Sequence, residues 1–199
     1  FEVNENTLIP RPETEELVEW IIESQKSKVK SQKFEILDIG TGTGCIPISL
    51  KANLPHVNVS AIDVSEKALE VARRNAVSNK VEINFIQTNI LEVEDLSQLQ
   101  TPNFQLPTSF DIIVSNPPYV RNLEKEEIKK NVLDYEPHLA LFVEDTDALL
   151  FYRKIAQLAL KNLAPNGLLF FEINQYLGKE TVELLENLGF KNIELKKDI

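Results

Sequence analysis

Apolar residues Leu17, Val18, Ile21 and Ile22 recur at three- and four-residue spacings, so residues 13–27 predict a helix with one apolar stripe. Pro12 suits its first position, having no N–H to leave unpaired, and Glu13, Glu15 and Glu16 complement the positive end of the helix dipole. The rhythm then changes. Residues 34–39 are a short apolar run that meets glycines at once, which predicts a strand. From there strands and helices alternate: a helix over 45–53, a strand over 57–62, and a helix over 65–78 with Ser65 as N-cap. Strands follow over 81–87 and 110–114, then a long amphipathic helix over 146–163. A strand over 167–173, a helix over 177–188 and a last strand over 190–195 complete the series. Such alternation predicts an α/β fold, a doubly wound, mostly parallel sheet flanked by helices. The longest interruptions, 91–109 and 116–145, are candidates for functional loops.

Composition narrows the class. With 199 residues, 43% of them hydrophobic and 26% charged, the chain has the size and balance of one globular domain. No apolar run approaches the roughly 20 residues that span a bilayer. Cys45 is the one cysteine, which excludes an internal disulfide and suits a reducing, cytoplasmic setting. The absence of methionine, even at the start, predicts that Phe1 was once internal to a longer chain. A net charge of −10 argues against gripping a nucleic-acid duplex. The loose basic clusters at 26–33 and 191–197 read as solvated charge at helix ends and sheet edges.

Candidate chemistry begins after the first strand. Gly40, Thr41, Gly42, Thr43 and Gly44 form a loop in which glycines permit a sharp turn and close approach of a ligand. A pyrophosphate fingerprint would need glycine where Cys45 stands, and a P-loop would need Gly-Lys-Ser/Thr, which is absent. The loop therefore points to a nucleoside without phosphates. Asp63 ends the second strand, where it either accepts bonds from ribose hydroxyls or caps the next helix. Asp38 is open between a ligand contact and a carboxylate holding loop amides, and Asn89 between an adenine contact and a turn.

Asn116-Pro117-Pro118-Tyr119 follows the strand at 110–114. The two prolines stiffen the chain, so the Pro117 carbonyl and the Asn116 side-chain oxygen are two fixed acceptors, suited to an –NH₂ group. Tyr119 offers a flat group an aromatic face. An amide or adenine amino nitrogen is a poor nucleophile because its lone pair is delocalised. Acceptors on both hydrogens push charge onto it and aim it, with no metal required. Asn116, Pro117 and Tyr119 are thus the catalytic candidates, and Asn116 to Tyr119 together the substrate-binding ones.

These residues resemble class I S-adenosylmethionine-dependent methyltransferases, and more closely the HemK/PrmC family, which methylates the glutamine of the Gly-Gly-Gln motif in peptide-chain release factors. The resemblance rests on Leu8-Ile9-Pro10-Arg11-Pro12-Glu13-Thr14-Glu15, on Asp38 to Gly44, on Asp63, on Ala72 to Ala76 with Asn75, and on Asn116 to Tyr119. Tyr135-Glu136-Pro137 with Ala140-Leu141 is similar to the family's ordered segment after the catalytic loop. The resemblance implies that Gly40, Gly42, Gly44 and Asp63 bind S-adenosylmethionine, that Asn89 and Ile90 face its adenine, that Asn116 holds the target amide, and that Tyr119 packs against it. It implies a release factor as protein partner. Residues 1–33 would be a lead-in and helix, and 34–199 the Rossmann-like core of one catalytic domain. The family's small N-terminal helical domain is missing from this sequence, and its end falls short of the family's final strand, so an incomplete sheet edge is expected. Position 89 often carries an acid in the family and position 90 an aromatic, unlike Asn89 and Ile90.

Other readings use parts of the same pattern. A nucleic-acid amino methyltransferase shares the Asn-Pro-Pro-Tyr chemistry on a flipped base, but would bring a basic face. A ribosomal-protein glutamine methyltransferase would look very similar. A non-catalytic module would be expected to have lost Asp63 or Asn116. His56 and His138 lack partners at metal-like spacing, so no metal site is expected. Cys45 reads as a packing residue, although its place at a helix start favours a lowered pKa. Trp20 reads as an anchor of the first helix, and Glu172 and Asn174 as supports behind the site.

Overall fold

The computed structural model describes residues 1–25, 34–127 and 136–197. Helix α1 spans Pro12–Gln25, β1 Phe34–Ile39, α2 Cys45–Asn53, β2 Val57–Asp63, α3 Glu66–Ser78 and β3 Asn84–Gln87. A small hairpin, β4 (Gln100–Thr101) with β5 (Phe104–Gln105), precedes β6 (Phe110–Ser115). Beyond it come β7 (Val120–Arg121), the single turn α4 (His138–Leu141), β8 (Phe142–Val143), α5 (Leu150–Asn162), β9 (Leu163–Phe171) and α6 (Gly178–Leu188).

The main sheet is parallel, in the order β3-β2-β1-β6-β9. Chain order reverses between β1 and β6, and that switch point is where open α/β sheets leave a crevice beyond the strand ends. Alternation along the strands divides the core in two. Ile36, Ile112 and Val114 face α1 and α2 with Ile21, Leu50 and Val59, whereas Leu37, Ile39, Ile62 and Ile113 face α5 with Ile155 and Leu158. Ile21 and Leu50 are wholly buried, each stabilising the fold by about 1.5–3 kcal/mol. Trp20 packs edge-on against Phe170 with ring centroids 5.4 Å apart, as its anchoring role predicts.

Two elements depart from the periodicity. Residues 190–195 form no strand, although their pattern reads as one. A strand needs a ladder partner, and among the described residues none pairs with this segment, which leaves β9 at the sheet edge. Side chains hold it instead: Leu195 packs against Gly178, and the Lys196 ammonium lies 4.0 Å from the Trp20 ring centre. Strand β9 begins earlier than its apolar run suggests. Leu163 pairs with Phe110, and an irregularity then resets the register so that Leu168 faces Ile112. The basic cluster at 26–33 lies outside the described residues.

Candidate active site

The carboxyl ends of β1, β2 and β6 open onto a cavity of about 320 Å³. Residues 40–43 and the neighbouring 115–118, whose Asn116 carbonyl approaches Gly40, form one wall, and 63–65 with 88–91 form the next. Thr7, Leu8, Pro10 and Thr14 close it from the N-terminal side with Pro137 and Ala140, over a floor of Phe151 and Ile155.

The glycine loop and the acid after β2 are one unit. Gly40 N and Thr41 N both donate to Ile62 O, at 2.8 and 3.0 Å, which turns the chain back over β2. Gly40, Gly42 and Gly44 all take positive φ. Gly42 N donates to Asp63 Oδ2 at 2.8 Å and Ser65 N donates to Oδ1 at 2.9 Å. Ser65 itself caps α3, accepting from Ala68 N at 3.2 Å, so Asp63 shapes the entry to the helix without being its cap. Each Asp63 oxygen keeps a lone pair beyond these bonds, so the residue retains acceptor capacity at the cavity wall. Burial raises the Asp63 carboxyl, and bonds from the Ser65, Gly42 and Val64 amides work against that rise.

Asp38 lies wholly buried at the end of β1, and among the described residues neither of its oxygens, nor Thr41 Oγ1, has a hydrogen-bond partner. Burial pushes its carboxyl up to about 7; the nearby Thr41 hydroxyl tempers the rise and the Asp63 charge adds to it. Asp38 itself is not among the residues that line the cavity.

Asn116, Pro117 and Pro118 line the cavity, and Tyr119 does not. The Tyr119 hydroxyl donates to Glu172 Oε1 at 3.2 Å. Burial and the Glu172 charge raise its pKa well above the ordinary phenol range, so Tyr119 stays a neutral donor. The loop is pinned from behind. Ser115 Oγ donates to Ile39 O at 2.6 Å, and Asn174 Nδ2 donates both to Tyr119 O and to Glu124 Oε2, each at 2.9 Å. Burial pushes the Glu124 carboxyl up, but bonds from Arg121 and Asn174 outweigh it and hold it below the usual carboxylate range.

Sequence reasoning missed part of this site. Thr14 Oγ1 donates to Glu172 Oε2 at 2.7 Å, and Asn116 Nδ2 donates to Thr14 Oγ1 at 3.4 Å. Arg11 Nη2 donates to Glu136 Oε1 at 2.6 Å and Ile9 N to Oε2 at 3.4 Å. Buried Asn75 ties the ends together, donating to Thr43 O at 2.9 Å and Glu2 O at 3.0 Å and accepting from Glu2 N at 2.7 Å. The Pro-Arg-Pro-Glu-Thr string was the available signal, but its partners lie more than a hundred residues away.

Other candidates fall as follows. Gly44 faces away from the cavity, against Ile48 and Ala72. Asn89 and Ile90 both line it, but the Asn89 side chain is engaged locally, accepting from Leu91 N at 3.2 Å and donating to Glu92 Oε1 at 2.9 Å. That leaves Ile90 and the backbone to face a ligand there. Burial pushes the Cys45 thiol up to about 11, reversing the lowering expected at a helix start. His56 is exposed, whereas Tyr135 and the His138 side chain lie outside the described parts. Among the described residues no cluster of His, Cys, Asp or Glu could hold a metal ion, and no helix is long and apolar enough to cross a membrane.

Comparison with known proteins places this geometry. The methyltransferase small domain model matches residues 21–138. A methyltransferase from Pyrococcus furiosus superimposes on 100% of this chain and 82% of its own, with a TM-score of 0.62 at 20% identity, a likeness of fold alone. A release factor glutamine methyltransferase of Flavobacterium psychrophilum is 67% identical over 100% of this chain, which spans 66% of that protein's length. One from Lactococcus lactis subsp. lactis is 41% identical over 100% of this chain, which covers 68% of it. With its glycine loop, its Asp63 and its Asn116-Pro117-Pro118-Tyr119 turn set around one cavity, the chain belongs to the release factor glutamine methyltransferase family.

Proposed function

We propose that this chain is a catalytic domain that moves a methyl group from S-adenosylmethionine to the side-chain nitrogen of a protein glutamine, that of the Gly-Gly-Gln motif in release factors. The observation that carries this reading is that Asn116, Pro117 and Pro118 line one cavity with the glycine loop and Asp63. The cavity residues fit the cofactor: residues 40–43 as a close-lying backbone cradle, Asp63 as acceptor for ribose hydroxyls, and Ile90 beside the adenine. When bound, S-adenosylmethionine supplies an electrophilic methyl group.

The chain's own residues do the rest. Asn116 Oδ1 and the Pro117 carbonyl accept from the hydrogens of the target amide, drawing its delocalised lone pair back onto nitrogen. The nitrogen takes the methyl as the methyl–sulfur bond breaks, and its surplus proton then passes to water. Rigid prolines keep those acceptors in place without a cost of ordering at the moment of reaction. Tyr119 acts from behind the wall, through Glu172, while its ring stiffens the turn. The release factor is the protein partner in this reading.

Transfer of labelled methyl groups tests it. The substrates are a release factor, the same factor with the Gly-Gly-Gln glutamine replaced, and unmethylated DNA. Label on the intact factor alone supports the reading, and label on DNA overturns it in favour of base methylation. Asn116→Ala should lower turnover by roughly 10²–10³-fold, the range for losing one preorganised electrostatic contact. Its affinity for S-adenosylhomocysteine, measured by calorimetry, should stay within about twofold.

A further inference from the structure

We propose that Thr14 and Glu172 decide which end of the Asn116 side-chain amide faces the reacting group, acting as positioning residues for Asn116. The inference rests on the glutamine-methylation reading for its catalytic consequence, but not for its geometry.

An asparagine amide is nearly symmetric in shape, so packing alone does not choose between its oxygen and its nitrogen. Hydrogen-bond parity does. The Thr14 hydroxyl has one proton, and it lies on Glu172 Oε2 at 2.7 Å. What Thr14 turns to Asn116 is therefore a lone pair, 3.4 Å from Nδ2. Glu172 Oε1 is taken by the Tyr119 hydroxyl at 3.2 Å. Burial raises the Glu172 carboxyl, and bonds from the Thr14, Tyr119 and Asn116 side chains work against that rise, so Thr14 and ionised Glu172 both turn acceptors toward Asn116. A flipped amide would set its oxygen against these acceptors, lone pair against lone pair, at a place where Thr14 is almost fully buried. The relay Asn116 to Thr14 to Glu172 thus turns the –NH₂ inward and the oxygen toward the cavity. Reversed, Asn116 would meet the target –NH₂ with its own –NH₂, two donors facing each other.

The relay is drawn from three distant parts of the chain: the first turn of α1, the loop after β6 and the end of β9. Glu172 N also donates to Ser115 O at 3.1 Å, so the carboxylate and Asn116 are held on one frame. Docking of α1 on the sheet end therefore does more than bury its apolar stripe.

The test uses the full chain, a release factor as acceptor, and the variants Thr14→Val, Thr14→Ser, Glu172→Gln and Thr14→Val with Glu172→Gln. Valine keeps the shape of threonine and deletes the relay, while serine keeps the relay. Glu172→Gln offers an amide donor to the Thr14 oxygen and allows its proton to swing toward Asn116. Thr14→Val and Glu172→Gln should each lower kcat by roughly 10- to 100-fold, the scale of a small misplacement of a reacting group. KM for the release factor and affinity for S-adenosylhomocysteine should move by less than about threefold. Thr14→Ser should recover most of the rate. The double variant should be no slower than the worse single one, because both remove the same relay.

A second readout needs no turnover. In the ¹⁵N-labelled protein, the Asn116 side-chain –NH₂ signals, identified by their loss in Asn116→Ala, should shift and exchange faster with water in Thr14→Val but not in Thr14→Ser. Unchanged signals with unchanged kcat in Thr14→Val would overturn the proposal, as would fully additive losses in the double variant. If the unaltered chain labels no glutamine, the functional reading fails, and the amide signals still decide the relay.

Discussion

Asp38 shows how one buried residue sets a pH dependence for a whole fold. Its carboxyl is wholly buried with no donor among the described residues, and burial lifts it to about 7. The unfolded value is about 3.9, so the folded state binds the proton more tightly. This stabilising contribution is complete below about pH 4 and is lost as pH rises through about 7. Purified without cofactor, the protein should lose thermal stability from pH 5.5 to 8, and Asp38→Asn should flatten that slope and raise the melting temperature at pH 8. Parallel melting curves for the two proteins across that range would refute the assignment. Asp63 makes the opposite prediction. Its oxygens already accept from Gly42 N and Ser65 N, and their spare lone pairs suit ribose hydroxyls. Asp63→Ala should weaken binding of S-adenosylhomocysteine by roughly 10- to 100-fold, as loss of a charged acceptor costs about 1.5–3 kcal/mol. Unchanged affinity in calorimetry would remove the ribose role. At this scale the sequence was most legible where chemistry is local. The glycines, Asp63 and Asn116 announce themselves by residue type at a strand end. The bond from Thr14 to Glu172 does not, because it joins residues 158 positions apart and depends on how α1 docks.

Glycine positions in one loop separate two demands on an element. A Cβ on Gly44 would lie 3.0 Å from Ile48 Cδ1 and 3.1 Å from Ala72 Cβ, so bare backbone there lets α2 pack against α3. Gly42 has open space around it but also sits at positive φ. Gly42→Ala should therefore cost about 1–2 kcal/mol, the left-handed penalty alone. Gly44→Ala should cost about 2–5 kcal/mol, because overpacking adds roughly 1–3. Denaturant unfolding of both proteins checks the order, and equal losses would mean that the helix contact yields without strain. The elements themselves were readable from their periods. Strands β1, β2 and β6 are apolar runs covered on both faces, and the Ser65 cap starts α3 as its side chain predicts. Residues 190–195 misled because alternation reports which faces are buried, whereas a strand also needs a neighbour to bond. The register shift in β9 escaped for a related reason: backbone pairing set it, with no change in hydrophobic pattern.

Across the whole molecule, a sheet supplies one half of the cavity and the first fourteen residues much of the other. Two tethers hold that segment. Asn75 grips Glu2 and the glycine loop together, and Glu136 grips Ile9 N and Arg11. The second tether is the better test, since Leu8 and Pro10, on either side of Ile9, line the cavity. The Glu136 side chain is only 4% exposed, while Arg11 is 33% exposed. Removing the guanidinium thus strands a nearly buried carboxylate, which costs more than losing a surface ion pair. Solvent at the Arg11 end and nearby Ile9 N should hold the loss to about 1–3 kcal/mol. Two cores on the two faces of the sheet are untouched by the change. Arg11→Ala should therefore lower the melting temperature only modestly. It should speed hydrogen exchange at Ile9 N and weaken binding of S-adenosylhomocysteine several-fold, because one cavity wall is no longer held. Glu136→Gln keeps a neutral acceptor for Arg11 and Ile9 N and should fall between the two. Faster exchange with unchanged affinity would show that the wall shields the site without holding the ligand. A large global destabilisation would instead make the segment part of the core that the sheet needs to fold.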